Sequence, residues 1–161
     1  MQTSDRPLFE PLQPMYARPG FLLRRAHQIS AAVFESHCAA LGLTQAQYGT
    51  MTVLANAPGL DQTRLARALA FDKVTVLRVI RGLCDRGLVH RATSAENKRQ
   101  LALELTDQGW AVLQAAQPLA SAAHQQLIGP LNAKETKEFV RLLQKLNSGL
   151  ADSARAPFQP L

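Results

Sequence analysis

The side chains best suited to recognition chemistry in this chain are Lys73, Val74, Thr75, Leu77, Arg78 and Arg81, which crowd one side of a single segment. No carboxylate joins them until Asp85. A face that is merely solvated mixes both signs of charge and avoids bare Val and Leu. Cations flanking apolar side chains suit a duplex DNA surface, where phosphates and thymine methyl groups are met together. A second cationic pair, Lys98 and Arg99, closes a polar turn running from Thr93 to Arg99. Arginine there fits a narrow, electronegative minor groove. Residues 61 to 106 hold nine Lys or Arg against five acids, which is +4 of the chain's net +6. That concentration is the electrostatic footprint of a polyanion binder.

These groups need elements that present them. Val76, Val79, Ile80 and Leu83 fall at i, i+3, i+4 and i+7, the inward stripe of a helix. Asp72 is placed to cap its first turn and Gly87 to end it. Periodicity alone allows an ordinary amphipathic surface helix equally well; the cationic hairpin beyond it favours the DNA reading. Leu88, Val89 and His90 suggest one short strand. Leu101, Leu103 and Leu105 alternate with Ala102 and Glu104 to suggest a second. Thr106 is placed to cap the next helix, with Asp107 at its positive end.

The run DKVTVLRVIRGLCDRGLVHR followed by NKRQLALELTDQG resembles the winged helix-turn-helix of MarR-type transcriptional regulators. The resemblance spans roughly residues 20–148. It implies a mainly α fold with a small β-hairpin wing, the winged helix-turn-helix being flanked by N- and C-terminal dimerisation helices. It also implies DNA contacts by Lys73, Val74, Thr75, Leu77, Arg78, Arg81, Lys98 and Arg99. The family's recognition helix usually opens Asp-Lys-Ser-Thr-Val-Thr-Arg, so Val74 and Leu77 here replace hydroxyl side chains. Apolar contacts to thymine methyls are the expected substitute. Asn97 stands where the family usually has the Asp that pairs with wing arginines.

The rest of the chain is divided accordingly. Residues 1–19, with Pro7, Pro11, Pro14 and Pro19, read as an extended arm. Residues 20–148 read as one domain, its winged helix at 44–106 and its dimerisation helices at 20–41 and 107–148; residues 149–161 read as a flexible tail. Leu22, Ile29, Val33 and Phe34 are expected inward on the first long helix. Thr44 caps the next, Pro58-Gly59 turns into a helix from Asp61 to Leu69, Gly129-Pro130 breaks the helix begun at Thr106, and Asn132 caps the last. Leu127, Ile128, Phe139, Leu142, Leu143 and Leu146 are the expected dimer contacts. A two-fold dimer would set two recognition helices about one DNA turn apart and match a palindromic operator.

MarR-type proteins commonly bind small aromatic or phenolic anions between the dimer helices and the DNA-binding lobe. The resemblance offers Arg24, Arg25, His27, Ser30, Phe34, Tyr48 and Trp110 as the ligand set here, with His37 and Met51 as outer candidates. PGFLLRRAHQ resembles the first helix of members controlling breakdown of aromatic acids or their CoA thioesters. The expected function is a homodimeric repressor of a catabolic operon, released by such a compound. Two alternatives remain: a thiol-based redox regulator using Cys38 or Cys84, with Arg81 and Arg86 lowering the Cys84 pKa, and a winged-helix module that binds protein. An enzyme is not expected, since no phosphate loop, HExxH or nucleophile elbow occurs. No cofactor, metal or membrane partner is expected either. Two cysteines give no disulfide framework and no secretory signal pattern opens the chain, so the cytoplasm is the expected location.

Overall fold

The computed structural model describes residues 12–93 and 101–161. Its elements run α1 (Leu12–Tyr16), α2 (Pro19–His37), a 3-10 turn (Ala39–Leu41), α3 (Gln45–Asn56), α4 (Gln62–Ala68), α5 (Lys73–Asp85), β1 (Val89–Thr93), β2 (Leu101–Leu105), α6 (Asp107–Ile128), α7 (Ala133–Gly149) and a closing 3-10 turn (Ala151–Ser153). The helix starts follow from local capping. Thr44 and Asn132 each complete a capping box, with Gln47 and Glu135 respectively. Asp61 accepts from the amides of Thr63 and Arg64, and Thr106 Oγ1 accepts from that of Gly109. Gly87 adopts φ 67°, left-handed backbone that a side chain resists, and so turns the chain from α5 into β1.

The core gathers under α5. Its whole expected stripe is buried, and Met51, Leu54, Leu65, Leu88 and Leu103 close around it. Each such side chain contributes about 1.5–3 kcal/mol of transfer free energy. The strands pair antiparallel with Val89 opposite Leu105 and Thr93 opposite Leu101. On the far edge of β2, Leu103 bridges to Leu60, its N–H donating to the Leu60 carbonyl at 2.9 Å. That bridge fastens the hairpin to the loop before α4. α6 starts beside Gly87, whose carbonyl accepts from the Thr106 hydroxyl at 2.6 Å, and then runs along α2. His37 Nε2 donates to Gln126 Oε1 at 2.7 Å across that contact.

Several expectations need correction. Part of the arm is helical: Leu12–Tyr16 forms a single turn, with Pro14 in a position whose N–H is spare, and Pro19 opens α2. Residues 1–11 lie outside the described part. Leu22 and Ile29 do not point inward, because only the C-terminal half of α2 packs into the core; Val33 is half-buried and Phe34 buried. In β2 the alternation breaks: Leu101 is 55% exposed while Ala102, on the face opposite Leu103, is 3% exposed. Thr93 belongs to β1 and not to the turn. Near the end of the chain the Gln159 N–H donates to the Arg67 carbonyl at 3.0 Å, adding a donor at the C-terminal end of α4.

α7 stands apart. None of its residues is buried, and Phe139, Val140, Leu142 and Leu146 are exposed along it, with Leu143 half-buried.

Candidate nucleic-acid interface

α4 and α5 form a helix-turn-helix whose turn contains Ala70 at φ 52°. A left-handed alanine costs roughly 1–2 kcal/mol. The conformation is held by the Phe71 N–H donating to the Ala66 carbonyl at 2.9 Å. Asp72 then starts α5, its Oδ1 accepting from the Thr75 N–H at 2.7 Å. That backbone bond holds the carboxyl below the usual range, helped by the Thr75 hydroxyl and, more weakly, by Arg78. The cap therefore persists as an anion at neutral pH and fixes the first turn of α5 where Lys73, Val74 and Thr75 emerge.

The candidate residues of α5 share its outward face. Val74 is 75% exposed and Leu77 42%; Lys73, Arg78 and Arg81 are exposed and Thr75 half-buried. Arg81 lies 3.9 Å from Asp85, but both are open to solvent, so the pair contributes little to stability. Lys98 and Arg99 fall outside the described residues. Arg86, one of the cations that make this region basic, serves the fold: its guanidinium donates to the carbonyls of Leu41 and Gly42 at 2.7 and 2.8 Å, tying the end of α5 to the end of the α2 segment.

Between α5 and β1 lies an open channel of about 1030 Å³, lined by Arg78, Arg81, Cys84, Asp85, His90 and Arg91 among others. His90 Nε2 lies 3.6 Å from Glu104 across the strand pair. Burial pushes the Cys84 thiol up; Arg91 offsets this in part and Asp85 adds to it. The expected activation by Arg81 and Arg86 is therefore absent, and Arg86 is engaged elsewhere. Burial also raises Cys38, which is fully enclosed. Neither thiol has the low pKa that a peroxide sensor uses.

A second cavity, of about 200 Å³, opens where α2, α3 and α6 meet. Ser30, Phe34 and Tyr48 are among its lining residues. The rings of Phe34 and Tyr48 sit 5.3 Å apart at 44°, and Gln45 Nε2 donates to Ser30 Oγ at 3.1 Å. The other four proposed ligand residues do not line this cavity. Arg24 rests over the Phe21 ring at 5.1 Å, and Arg25 and His27 lie on the exposed half of α2. Trp110 precedes His124 by fourteen residues on α6, roughly 21 Å along the axis. Of the outer candidates, Met51 is core and His37 bonds to Gln126. Sequence reasoning missed Gln45 and His124. The usable signal was the small-residue stripe Ala116, Ala120 and Ala123 on α6, which leaves room beside α2.

Among the described residues no helix is long and apolar enough to cross a membrane. The sequence pattern of the MarR family matches residues 41–100. The transcriptional regulator HosA of Escherichia coli O157:H7 is 35% identical over 104 residues, 65% of this chain and 77% of that protein. The HTH-type transcriptional repressor NicR of Pseudomonas putida is 31% identical over 143 residues, 89% of this chain and 90% of NicR. Among solved structures, Bordetella bronchiseptica BpsR, whose DNA binding is regulated by 6-hydroxynicotinic acid, superposes with a TM-score of 0.76 at 30% identity, over 82% of this chain and 94% of BpsR. The transcriptional repressor CouR, bound to a 23-mer DNA duplex, superposes with a TM-score of 0.76 at 26% identity, over 86% of this chain and 99% of CouR. Fold, sequence pattern and relatives agree: this chain belongs to the MarR family of DNA-binding winged-helix transcriptional regulators, which are not enzymes.

Proposed function

We propose that this protein is a homodimeric repressor that reads a palindromic operator through α5 and is released from it by a small aromatic acid or the acyl part of its CoA thioester. The observation that carries the reading is the outward face of α5, where Val74 and Leu77 stand exposed between Lys73, Arg78 and Arg81. Exposed branched aliphatics on a capped helix have an occupation in a major groove, against thymine methyls. Arg78 is the base-reading side chain, Thr75 and Arg81 contact phosphates, and Lys98 and Arg99 reach the flanking minor groove. A protein-binding module would have no need for cations spaced along this face. With DNA as partner, the cytoplasm is its place of work.

Dimerisation accounts for α7. An isolated helix of its length is marginal in water, and its Phe139, Leu142, Leu143 and Leu146 row is open in the single chain. Packing that row and Leu127 and Ile128 against a second copy supplies the missing partner. The cavity beside Phe34 and Tyr48 supports an effector of one ring: two aromatic faces to stack on, with Ser30, Gln45 and His124 to meet a carboxylate. Its volume is below the common range for drug-sized ligands, so a coenzyme moiety would lie outside it. BpsR, regulated by 6-hydroxynicotinic acid, makes a ring acid the natural first choice.

The test is a gel shift with DNA from beside the protein's own coding region, in the presence of aromatic acids and their thioesters. Release by one compound supports a ligand-responsive repressor and names the effector class. Binding that no such compound alters rejects the aromatic-effector part, and absence of binding to any promoter fragment rejects the whole.

A further inference from the structure

Two walls of the cavity between α2, α3 and α6 belong to one short stretch of chain. Ser30 and Phe34 come from the C-terminal half of α2, Gln45 and Tyr48 from the first turn of α3, and residues 38–44 connect them. Cys38 and Leu43 anchor that connector in the core, and Gly42 turns it through left-handed backbone at φ 57°. Its outer side is held by α5 at two points. The Arg86 guanidinium donates to the carbonyls of Leu41 and Gly42 at 2.7 and 2.8 Å. One turn earlier, Gly82 lies so close to Gln47 that a Cβ would stand 3.3 Å from its Nε2. Gln47 is itself fixed, its Oε1 accepting from the Thr44 N–H in the α3 capping box. Resting on the effector and operator readings just given, we propose that Arg86 is the positioning residue that couples this cavity to the reading helix.

A guanidinium is a planar fork, and both prongs are used here on successive carbonyls. Lysine would hold one of them as a point charge. Carbonyls at the end of a helical segment carry partial negative charge, so both contacts are charge-assisted. A ring acid stacked on Phe34 and Tyr48 binds best at one separation of α2 and α3, and so favours one position of the connector. Arg86 passes that position to the C-terminal end of α5. From there back to Val74 the helix runs roughly 18 Å, and it rests on a buried stripe, so a shift at one end tilts the other. Coupling is reciprocal: an operator that fixes α5 must also steady the connector.

The experiment measures hydrogen exchange by mass spectrometry for wild type, Arg86→Ala and Arg86→Lys, each free and saturated with an operator duplex, at a temperature where all three are folded. In wild type the operator should slow exchange over α5 and also over residues 38–48, the latter by about 5-fold, the lower end of coupling between sites. Both variants should keep the slowing over α5 and lose that over 38–48, which a purely structural role for Arg86 would not separate. Slowing of 38–48 that survives in either variant overturns the assignment, and so does wild type with no slowing there. An operator that slows nothing over α5 in wild type removes the reading of α5 and the coupling with it. In a second arm benzoate, salicylate and nicotinate are titrated into each protein–operator complex, with fluorescence anisotropy as the readout. An acid that weakens wild-type binding about 5-fold or more should leave Arg86→Ala on its operator. Equal release of both overturns the coupling and leaves the effector reading intact. The expected exchange pattern with no release of wild type keeps the coupling and removes the ring-acid reading.

Discussion

Replacing Gly109 by alanine should separate the DNA-reading lobe from α6. A Cβ at this position would stand 2.0 Å from the Leu88 carbonyl oxygen, 3.0 Å from its carbon and 3.4 Å from Leu105 Cδ2. An ordinary carbon–oxygen contact is about 3.3 Å, so roughly 1.3 Å has to be found between two backbones. The Leu88 carbonyl also accepts from the Thr106 N–H at 3.1 Å, so moving it strains the joint between hairpin and α6. Overpacking of this kind costs about 3 kcal/mol at the upper end of its common range, and the strained hydrogen bond about 1 more. Alanine returns about 1 kcal/mol through helix propensity. The net loss is about 3 kcal/mol, roughly 6–12 °C in melting temperature for a chain of this size. Gly49→Ala is the matched comparison: in mid-helix its Cβ would meet Leu69 Cδ2 at an ordinary 3.6 Å, so the propensity gain stands and melting should rise roughly 2–4 °C. Calorimetry at fixed protomer concentration reads both, since association shifts melting. A Gly109→Ala protein melting within about 2 °C of wild type, well inside the shift worked out above, would refute the packing described for this joint.

Other outcomes follow from the same contacts. Arg86→Ala should lower stability by roughly 1–2 kcal/mol in urea titration, discounted for exposure, without altering base preference, because it caps Leu41 and Gly42. With both thiol pKa values raised by burial, Ellman's reagent at neutral pH should label Cys84 more slowly than free cysteine, and Cys38 only on unfolding; fast labelling of native Cys84 would restore the redox reading. Truncation after Ser153 should cost about 0.5–1.5 kcal/mol and speed hydrogen exchange at the end of α4, whose Arg67 carbonyl loses the Gln159 N–H; unchanged exchange at Leu69 and Ala70 would count against that contact.

What could be read directly from the sequence was what is decided locally. Thr44, Asp72, Thr106 and Asn132 cap helices with their own next residues, and the buried stripe of α5 follows from a period that holds within thirteen residues. What misled was decided by contact between distant segments. Leu22 and Ile29 repeat with helical period, yet α6 covers only the far half of α2. Leu101 alternates like Leu103, yet Leu103, bridged to Leu60, is buried while Leu101, at the first position of the strand, is exposed. The cavity beside Phe34 and Tyr48 needs three helices to meet, so the adjacent Arg24 and Arg25 stood out in the sequence while His124, seventy-six residues beyond Tyr48 in the chain, did not. Likewise nothing near Gln159 announces the carbonyl of Arg67 as its acceptor.

Base reading by the outward face of α5 is tested by an affinity profile over every single base-pair change in the operator. It is taken at one salt concentration for wild type and for Arg78→Ala. Arg78→Ala should lose about 1–3 kcal/mol of discrimination at one position, repeated symmetrically in the two half-sites, with the remaining profile intact. A profile that keeps its shape and merely shifts to weaker binding at every position would contradict it, and would make Arg78 a phosphate contact.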